Sequence, residues 1–409
     1  MSKQNFQNLQ DLPIPLPNSQ CVLHKHEILI CGGSGERVCY SYHTLKNKYK
    51  LICLYPNIML YGHCVVKLVD NNKKSNEITL LSFGGFPRHI LAMKYVSVWS
   101  NECKLNNPSY NQWITFTDNH NNPIHIGRNE DSYEGVRAVI GGSNNHLLFI
   151  TYRLQNISVF DLNTFKFIKH DTIPTRDSII IAFKKKTKDE MILFCKETGL
   201  SIAYNEHNNI FQFHKLPICD DITLREYAYV CINGSILFFG GFTKYIVSNI
   251  LYKYSIQEKI WTKFRHTLPI PLFNSFGILN EDNTHIHIIG GLNSKMISSR
   301  MHIKTKTSKW MDKKMQQLTK NEIQVVIHHW IRISKIKLGW INDFNKIIIK
   351  YVSSFQLLMV LQAHDSTVNS VTFSADGRKI VSASYNHTVR MWDFVSGRQV
   401  QTFRGHTDR

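Results

Sequence analysis

Apolar residues in this chain come in short runs that stop at glycine. "ILICGG", "LLSFGG", "ILFFGG" and "HIIGG" place paired glycines at Gly32-Gly33, Gly84-Gly85, Gly240-Gly241 and Gly290-Gly291. Runs this short, bounded by glycine and rich in β-branched and aromatic residues, predict buried strands rather than core helices. After each pair comes a polar loop, a second strand-like run such as "ILYKYSI", and an aromatic residue among polar ones: Tyr49, Trp113, Trp261 and Trp310. Two further copies keep this order without the glycines. "LLFITYRLQNISVFDLNTFKF" has Ile150-Thr151-Tyr152 in the glycine region and Phe165 as its aromatic; "MILFCKETGLSIAYNEHNNIFQF" has Cys195-Lys196 and Phe211. Successive anchors are 52, 67, 44, 45 and 50 residues apart, which makes six units.

Each unit reads as a four-stranded antiparallel sheet that cannot bury both faces alone. Neighbours must stack, and a ring shields the strand edges. Paired glycines suit positive φ or a close neighbouring backbone, and the large aromatic fills the space between sheets. "LPIPLPNSQ" from Leu12 and "LPIPLFNSF" from Leu268 are near-copies. Each is expected to lead into the innermost strand of a sheet, its prolines keeping the entering chain extended.

The glycine pairs, the spacing and the aromatics resemble the kelch repeat family over residues 11–311. The resemblance implies an all-β fold, a six-bladed kelch-type β-propeller. The third and fourth copies depart from the family pattern by losing the glycine pair and replacing Trp with Phe.

In such a blade the turns between second and third strands and the crossovers to the next blade emerge on one side of the disc. The turns supply Arg37, Arg88, Arg153, Lys196, Lys244, Lys295 and Arg300, a cation from every unit. The crossovers add Arg128, Arg176, Arg225 and Arg265, offset by Asp131, Glu134, Asp220, Asp221 and Glu226. A ring of guanidinium and ammonium groups can hold an acidic partner segment, and kelch resemblance implies peptide binding on this side. The opposite loops carry Lys184, Lys185 and Lys186, which could touch phosphates.

Past the sixth unit the period lengthens to three or four: Ile323, Val326, Ile327 and Trp330, then Ile341, Phe344, Ile348, Tyr351 and Phe355 after Gly339. This predicts a short helical hairpin, a connector over 312–356. His328-His329 has no partner at ligand spacing, so no metal is expected. From residue 357 the chain is similar to a WD-repeat, with His364, an "SADG" turn at Ser374 to Gly377, and Trp392-Asp393; Gly405-His406 begins a second copy. Asn386 stands where the family's histidine-bonding aspartate belongs, which predicts a weaker internal network. One blade cannot close a ring. The expectation is a longer protein with a second propeller downstream, or an orphan blade that completes another subunit's ring.

The excess of 49 Lys and Arg over 30 Asp and Glu gives a charge of +19, favouring acidic partners. Nine scattered cysteines with no CxxC pair, an N-terminus without an apolar signal region and the lack of an 18-residue apolar stretch read as a chain of the cytoplasm or nucleus, with no transmembrane segment. There is no Gly-x-Ser-x-Gly, phosphate-loop or HExxH motif; "GGSGE" joins two strands. Expected, then, is a non-enzymatic protein-interaction scaffold without cofactor or small-molecule substrate, recruiting a protein partner, with a ubiquitin-ligase or similar assembly as its setting. The alternative is an electrostatic nucleic-acid or phosphoinositide binder.

Overall fold

A computed structural model describes residues 5–69, 76–100, 110–128, 130–175, 182–185, 190–195, 198–219, 225–242, 246–311, 364–374, 378–394 and 396–404. The chain divides into two units, at about residue 316. Among its described residues the first holds six four-stranded antiparallel sheets. Sheet 6 begins with the N-terminal strand β1 (Gln7–Asn8). Sheet 1 is β2 (Gln20–His24), β3 (Glu27–Gly33), β4 (Glu36–His43) and β5 (Lys48–Leu54). Sheet 2 is β6 (His63–Lys67), β7 (Glu77–Gly84), β8 (His89–Val96) and β9 (Ile114–Thr115). Sheet 3 is β10 (Arg137–Gly141), β11 (Leu147–Tyr152), β12 (Asn156–Asp161) and β13 (Lys166–Thr172). Sheet 4 is β14 (Ala182–Lys185), β15 (Glu190–Phe194), β16 (Gly199–Asn205) and β17 (Ile210–Leu216). Sheet 5 is β18 (Ala228–Ile232), β19 (Ser235–Phe239), β20 (Leu251–Ser255) and β21 (Ile260–Lys263). Sheet 6 continues with β22 (Phe276–Leu279), β23 (His285–Ile289) and β24 (His302–Lys306).

Period-two alternation sends each sheet's two faces into two different cores. In β3, Leu29 and Cys31 pack against Val65, Leu80 and Met93 of sheet 2, whereas Ile28 and Ile30 pack with Ile289 of sheet 6. Six such cores run sheet to sheet and return to the start. The unit is propeller-like, as the glycine-bounded runs predict. Trp113 sits between sheets 1 and 2 and Trp310 between sheets 5 and 6, both buried. Each contributes roughly 2–3 kcal/mol by burial.

The closure differs in detail from the sequence expectation. Trp310 does not follow a fourth strand of its own segment: it ends a 3-10 turn (Thr307–Lys309) after β24. The fourth strand of sheet 6 is β1, pairing Gln7 with Lys304 and Asn8 with Ile303, so the unit extends ahead of residue 11. Phe6 then packs on the Trp310 ring with centroids 5.6 Å apart.

Both "LPIPL" segments cross on the same side and bury their leucines, Leu12, Leu16, Leu268 and Leu272. Their backbones are held alike: Leu12 N–H donates to the Arg300 carbonyl and Leu268 N–H to the Asn249 carbonyl, both at 2.8 Å. Asn18 and Asn274, the matching residues just beyond, have φ of 58° and 53°. Asn18 N–H donates to the Asn274 carbonyl at 2.8 Å, and Asn274 N–H to the Glu226 carbonyl at 2.7 Å, stitching successive lead-ins together.

The second unit holds one described sheet, β25 (Val368–Phe373), β26 (Lys379–Ser384), β27 (Thr388–Asp393) and β28 (Gln399–Arg404). The expected helical connector at 312–356 lies outside the described residues, as do positions 375–377 of the "SADG" turn and Gly405-His406. No helix among the described residues is long and apolar enough to cross a membrane.

Candidate interaction surface

Strand alternation puts the turns after β3, β7, β11, β19 and β23 and the crossovers between sheets on one side of the first unit. At its centre the inner strands β2, β6, β10, β18 and β22 line a cavity of about 670 Å³. Tyr61, Glu134, Arg153, Glu226 and Asn274, all from turns or crossovers, line the same cavity and mark its mouth on this side. Burial raises the Glu226 carboxyl above its ordinary range, against the pull of Arg225 and Arg137.

Arg37, Arg88, Arg153, Arg300 and the crossover residue Arg128 are engaged within the fold. Arg37 donates from Nε and Nη2 to the Tyr55 carbonyl (3.0 and 2.7 Å) and from Nη1 to Asn57 Oδ1 (3.2 Å). Arg300 donates from Nε to the Leu12 carbonyl and from Nη2 to the Pro13 carbonyl, each at 2.6 Å. Arg88 Nη1 donates to the Arg128 carbonyl at 2.6 Å, and Arg153 pairs with Glu134 at 3.1 Å. Arg128 itself is clamped by Asp131. Apart from Arg128, itself in a crossover, each is a turn guanidinium that ties down the backbone or a side chain of a crossover, as its planar fork of donors allows. These contacts place Arg37, Arg88, Arg153 and Arg300 on one side. Lys295 is exposed there; Lys196 and Lys244 lie outside the described residues.

Sequence reading of charge missed a second feature of this side. Among the described residues, nine exposed large apolar side chains sit on its turns and crossovers: Met59, Tyr61, Phe86, Leu154, Ile218, Ile246, Ile270, Met296 and Ile297. The opposite side has Leu45 and Val69. The remaining exposed apolar residues of this unit lie on outer strands, such as Leu51 and Ile260. Leu154 is 74% exposed with φ of 64°, and Met296 is 55% exposed with φ of 60°. Left-handed turn positions on the opposite side are mostly asparagine, at 47, 145, 209, 233 and 283. An L side chain in this region costs about 1 kcal/mol, so leucine and methionine there neither relieve strain nor bury surface within the fold. The signal was in the sequence: "YRLQN" and "SKMIS" put apolar residues where turn chemistry favours Asn or Gly.

The glycine pairs serve this side too. Gly84, Gly85, Gly240, Gly241, Gly290 and Gly291 all have positive φ, and a Cβ on Gly85 would lie 2.8 Å from the Tyr61 carbonyl oxygen. Gly32 shares the left-handed conformation, whereas Gly33 is constrained by approach: its Cβ would lie 2.9 Å from the Pro17 carbonyl oxygen. Trp261 donates from Nε1 to the Pro217 carbonyl at 2.8 Å, fixing the crossover that leads into its own sheet.

In the second unit a hydrogen-bond chain runs through the sheet. Trp392 Nε1 donates to Ser382 Oγ (3.0 Å), Ser382 bonds His364 Nε2 (2.9 Å), His364 Nδ1 bonds Thr388 Oγ1 (3.1 Å), and Thr388 donates to Asn386 Oδ1 (2.6 Å). Asn386 Nδ2 in turn donates to Asp365 Oδ1 at 3.2 Å. The chain is complete although Asn386 replaces the expected acid. Among the described residues no three His, Cys, Asp or Glu side chains are grouped to hold a metal ion.

Residues 355–393 match the WD domain, G-beta repeat family. The chain is 40% identical over 65 residues to the Notchless protein homolog of Arabidopsis thaliana, which covers 16% of this chain and 14% of that protein. It is 37% identical over 62 residues to Ribosome assembly protein 4 of Saccharomyces cerevisiae, covering 15% and 12%. With the Xenopus laevis Dynein assembly factor with WD repeat domains 1 it shares 39% identity over 52 residues, covering 13% and 12%. The chain therefore spans about one seventh or less of these relatives' lengths. By fold, the solved structure of YjhT matches with a TM-score of 0.51 at 12% identity, covering 71% of this chain and 95% of that one. That likeness is one of fold alone.

Proposed function

We propose that this protein is a non-enzymatic interaction scaffold whose first unit, a six-bladed propeller of the kelch type over 11–311 closed by the strand at Gln7–Asn8, binds a protein partner on the turn-and-crossover side. The single observation that carries this reading is the concentration of exposed apolar residues and cations on that one side. Interfaces combine apolar and aromatic anchors with arginine and a polar rim. Its partner is an acidic segment with apolar anchors: the carboxylates meet Lys295 and the free edges of Arg88 and Arg153, and the anchors meet Phe86, Leu154 and Met296. The WD-type module over 357–409 recruits another protein, and the connector spans 312–356. The named relatives of that module, which include assembly factors, support a role in assembling complexes; a ubiquitin-ligase is one such setting. Eight free cysteines among the described residues fit a reducing compartment, cytoplasmic or nuclear.

A display library of acidic peptides tests this. A selective peptide that binds the wild type and is lost with Arg88→Ala plus Arg153→Ala, or with Leu154→Asp, supports the scaffold. Binding only to generic polyanions such as heparin, falling steeply with salt, supports an electrostatic nucleic-acid or phosphoinositide binder instead.

A further inference from the structure

Three thiols form one row across sheet 1. Cys31 faces Cys39 in the β3–β4 ladder, and Cys39 faces Cys53 in the β4–β5 ladder. Both neighbours sit close enough to the Cys39 thiol to perturb its titration, and Cys53 Sγ lies 3.7 Å from Met93 Sδ. Trp113, the indole between sheets 1 and 2, donates from Nε1 to Cys39 Sγ at 3.3 Å and stacks on Tyr55 with centroids 4.6 Å apart. Cys31 and Cys39 are buried, whereas Cys53, on the outermost strand, is only partly buried.

Directly opposed residues of an antiparallel ladder have Cα atoms about 4.5–5.5 Å apart, within the span of about 4.4–6.8 Å that a disulfide bridges. The Cα spacing of Cys39 and Cys53 is thus within disulfide reach, with a small closure of the strands to bring the sulfurs together. We propose that Cys39 and Cys53 are a paired oxidation site that forms a cross-strand disulfide with a low-molecular-weight disulfide as oxidant, and that Trp113 senses the change.

The reaction starts at Cys53, the accessible thiol. Having lost its proton to solvent, Cys53 sulfur attacks one sulfur of the oxidant RSSR. A Cys53–SR bond forms, the RS–SR bond breaks, and the departing thiolate takes a proton to become RSH. Cys39, deprotonated in turn, attacks the Cys53 sulfur and expels the second thiolate, also protonated to RSH. Two protein thiols are oxidised by two electrons and RSSR is reduced to two RSH. Burial holds the Cys39 thiol well above the ordinary thiol range, and the neighbouring Cys39 together with burial does the same for Cys53. The pair is therefore slow to react, and oxidation accelerates as pH rises. Cys31 touches Cys39 from the other side and is the competing partner.

The full-length chain is treated with oxidised glutathione at pH 8, quenched in denaturant with an alkylating agent, and mapped by mass spectrometry. The expected result is a linked peptide pair containing Cys39 and Cys53, with the loss of two hydrogens reversed by dithiothreitol. Tryptophan emission should fall in parallel, and Trp113→Phe should lack that component. Cys31→Ser should leave the link intact and Cys53→Ser should abolish it. Because mapping uses the wild type, the outcome does not depend on a variant folding. A lasting glutathione adduct at Cys53 with Cys39 still alkylated overturns the proposal, as does a Cys31–Cys39 link. So does full alkylation of both thiols while Cys219, also partly exposed, has reacted.

Discussion

Gly290 lies where any side chain would run into the carbonyl oxygen of Leu16, and its φ is 64°. The same relation joins Gly240 to the carbonyl oxygen of Leu272, at φ 69°. The first glycine of a pair in one sheet is thus the seat for the last leucine of "LPIPL" on its way to the next, which is why nine residues recur 256 positions apart.

Gly290→Ala should therefore be costly. Left-handed backbone costs alanine about 1 kcal/mol, and the clash with an immobile carbonyl adds a comparable amount, so about 2–3 kcal/mol in total. Gly234 is the control: its φ is 70° but nothing lies within 4 Å of an added Cβ. Gly234→Ala should lose only the backbone cost, about 1 kcal/mol. Thermal melts of the two variants should fall by amounts differing two- to threefold; equal shifts would mean that the Leu16 contact carries no weight.

Arg300 and Arg37 were legible in the sequence as cations at equivalent turns, but charge does not reveal where a guanidinium points. Their hydrogen bonds to Leu12, Pro13 and Tyr55 carbonyls make them braces for crossovers. Arg300→Lys keeps the charge and loses the two-carbonyl grip. A hydrogen bond from a charged donor is worth about 1.5–3 kcal/mol, and partial exposure lowers this, so a loss of about 1–2 kcal/mol is expected in denaturant melts. Lys295→Ala, with its side chain exposed, should change stability little. If Arg300→Lys is as harmless as Lys295→Ala, the bracing role is wrong.

The all-β reading followed from period-two runs ending in glycine, because local sequence decides strand length and turn chemistry. What stayed hidden depends on residues far apart. β1 has two residues, too few for a pattern, and closes sheet 6 only because Gln7 meets Lys304. The apolar turn tips at Leu154 and Met296 were readable as poor turn chemistry, yet only the strand alternation gathers them on one side. The row of Cys31, Cys39 and Cys53 requires the register of two ladders, including the irregularity beside Cys39 in the second.

Four of the five buried histidines among the described residues give the first unit an acid limit. His63 bonds the Cys31 carbonyl, His89 bonds Ser82, and His287 and His302 bond each other. Burial holds His63 and His287 down to about 3, His89 to about 4 and His302 well below its ordinary value. The folded chain refuses protons that the unfolded chain accepts once pH falls below about 6.5. Stability is therefore unaffected by these groups above that pH and is lost as pH drops towards about 4. Each contributes up to about 1.4 kcal/mol per pH unit in that window. Urea midpoints should fall steeply between pH 6.5 and 4.5, and His89→Gln, which keeps a partner for Ser82, should make the slope shallower. An unchanged slope would mean that His89 is protonated in the fold.

Asn386 carries the last test, because its amide does two things of which the expected aspartate could do only one. Its oxygen accepts from Thr388 at 2.6 Å, ending the chain from Trp392, while its nitrogen donates to Asp365 at 3.2 Å. Asn386→Asp would supply a stronger acceptor for Thr388 but set a second carboxylate against Asp365. Asp365 is largely exposed and also 3.6 Å from Arg390, so screening keeps the repulsion to about 0.5–1 kcal/mol. The single variant is expected to speed hydrogen exchange of the 379–393 amides in the full-length chain several-fold. Asn386→Asp combined with Asp365→Asn restores a donor opposite the acid and should return exchange to the wild-type rate or slower. Slower exchange in the single variant would show that the acceptor at the end of the chain outweighs the bridge to Asp365.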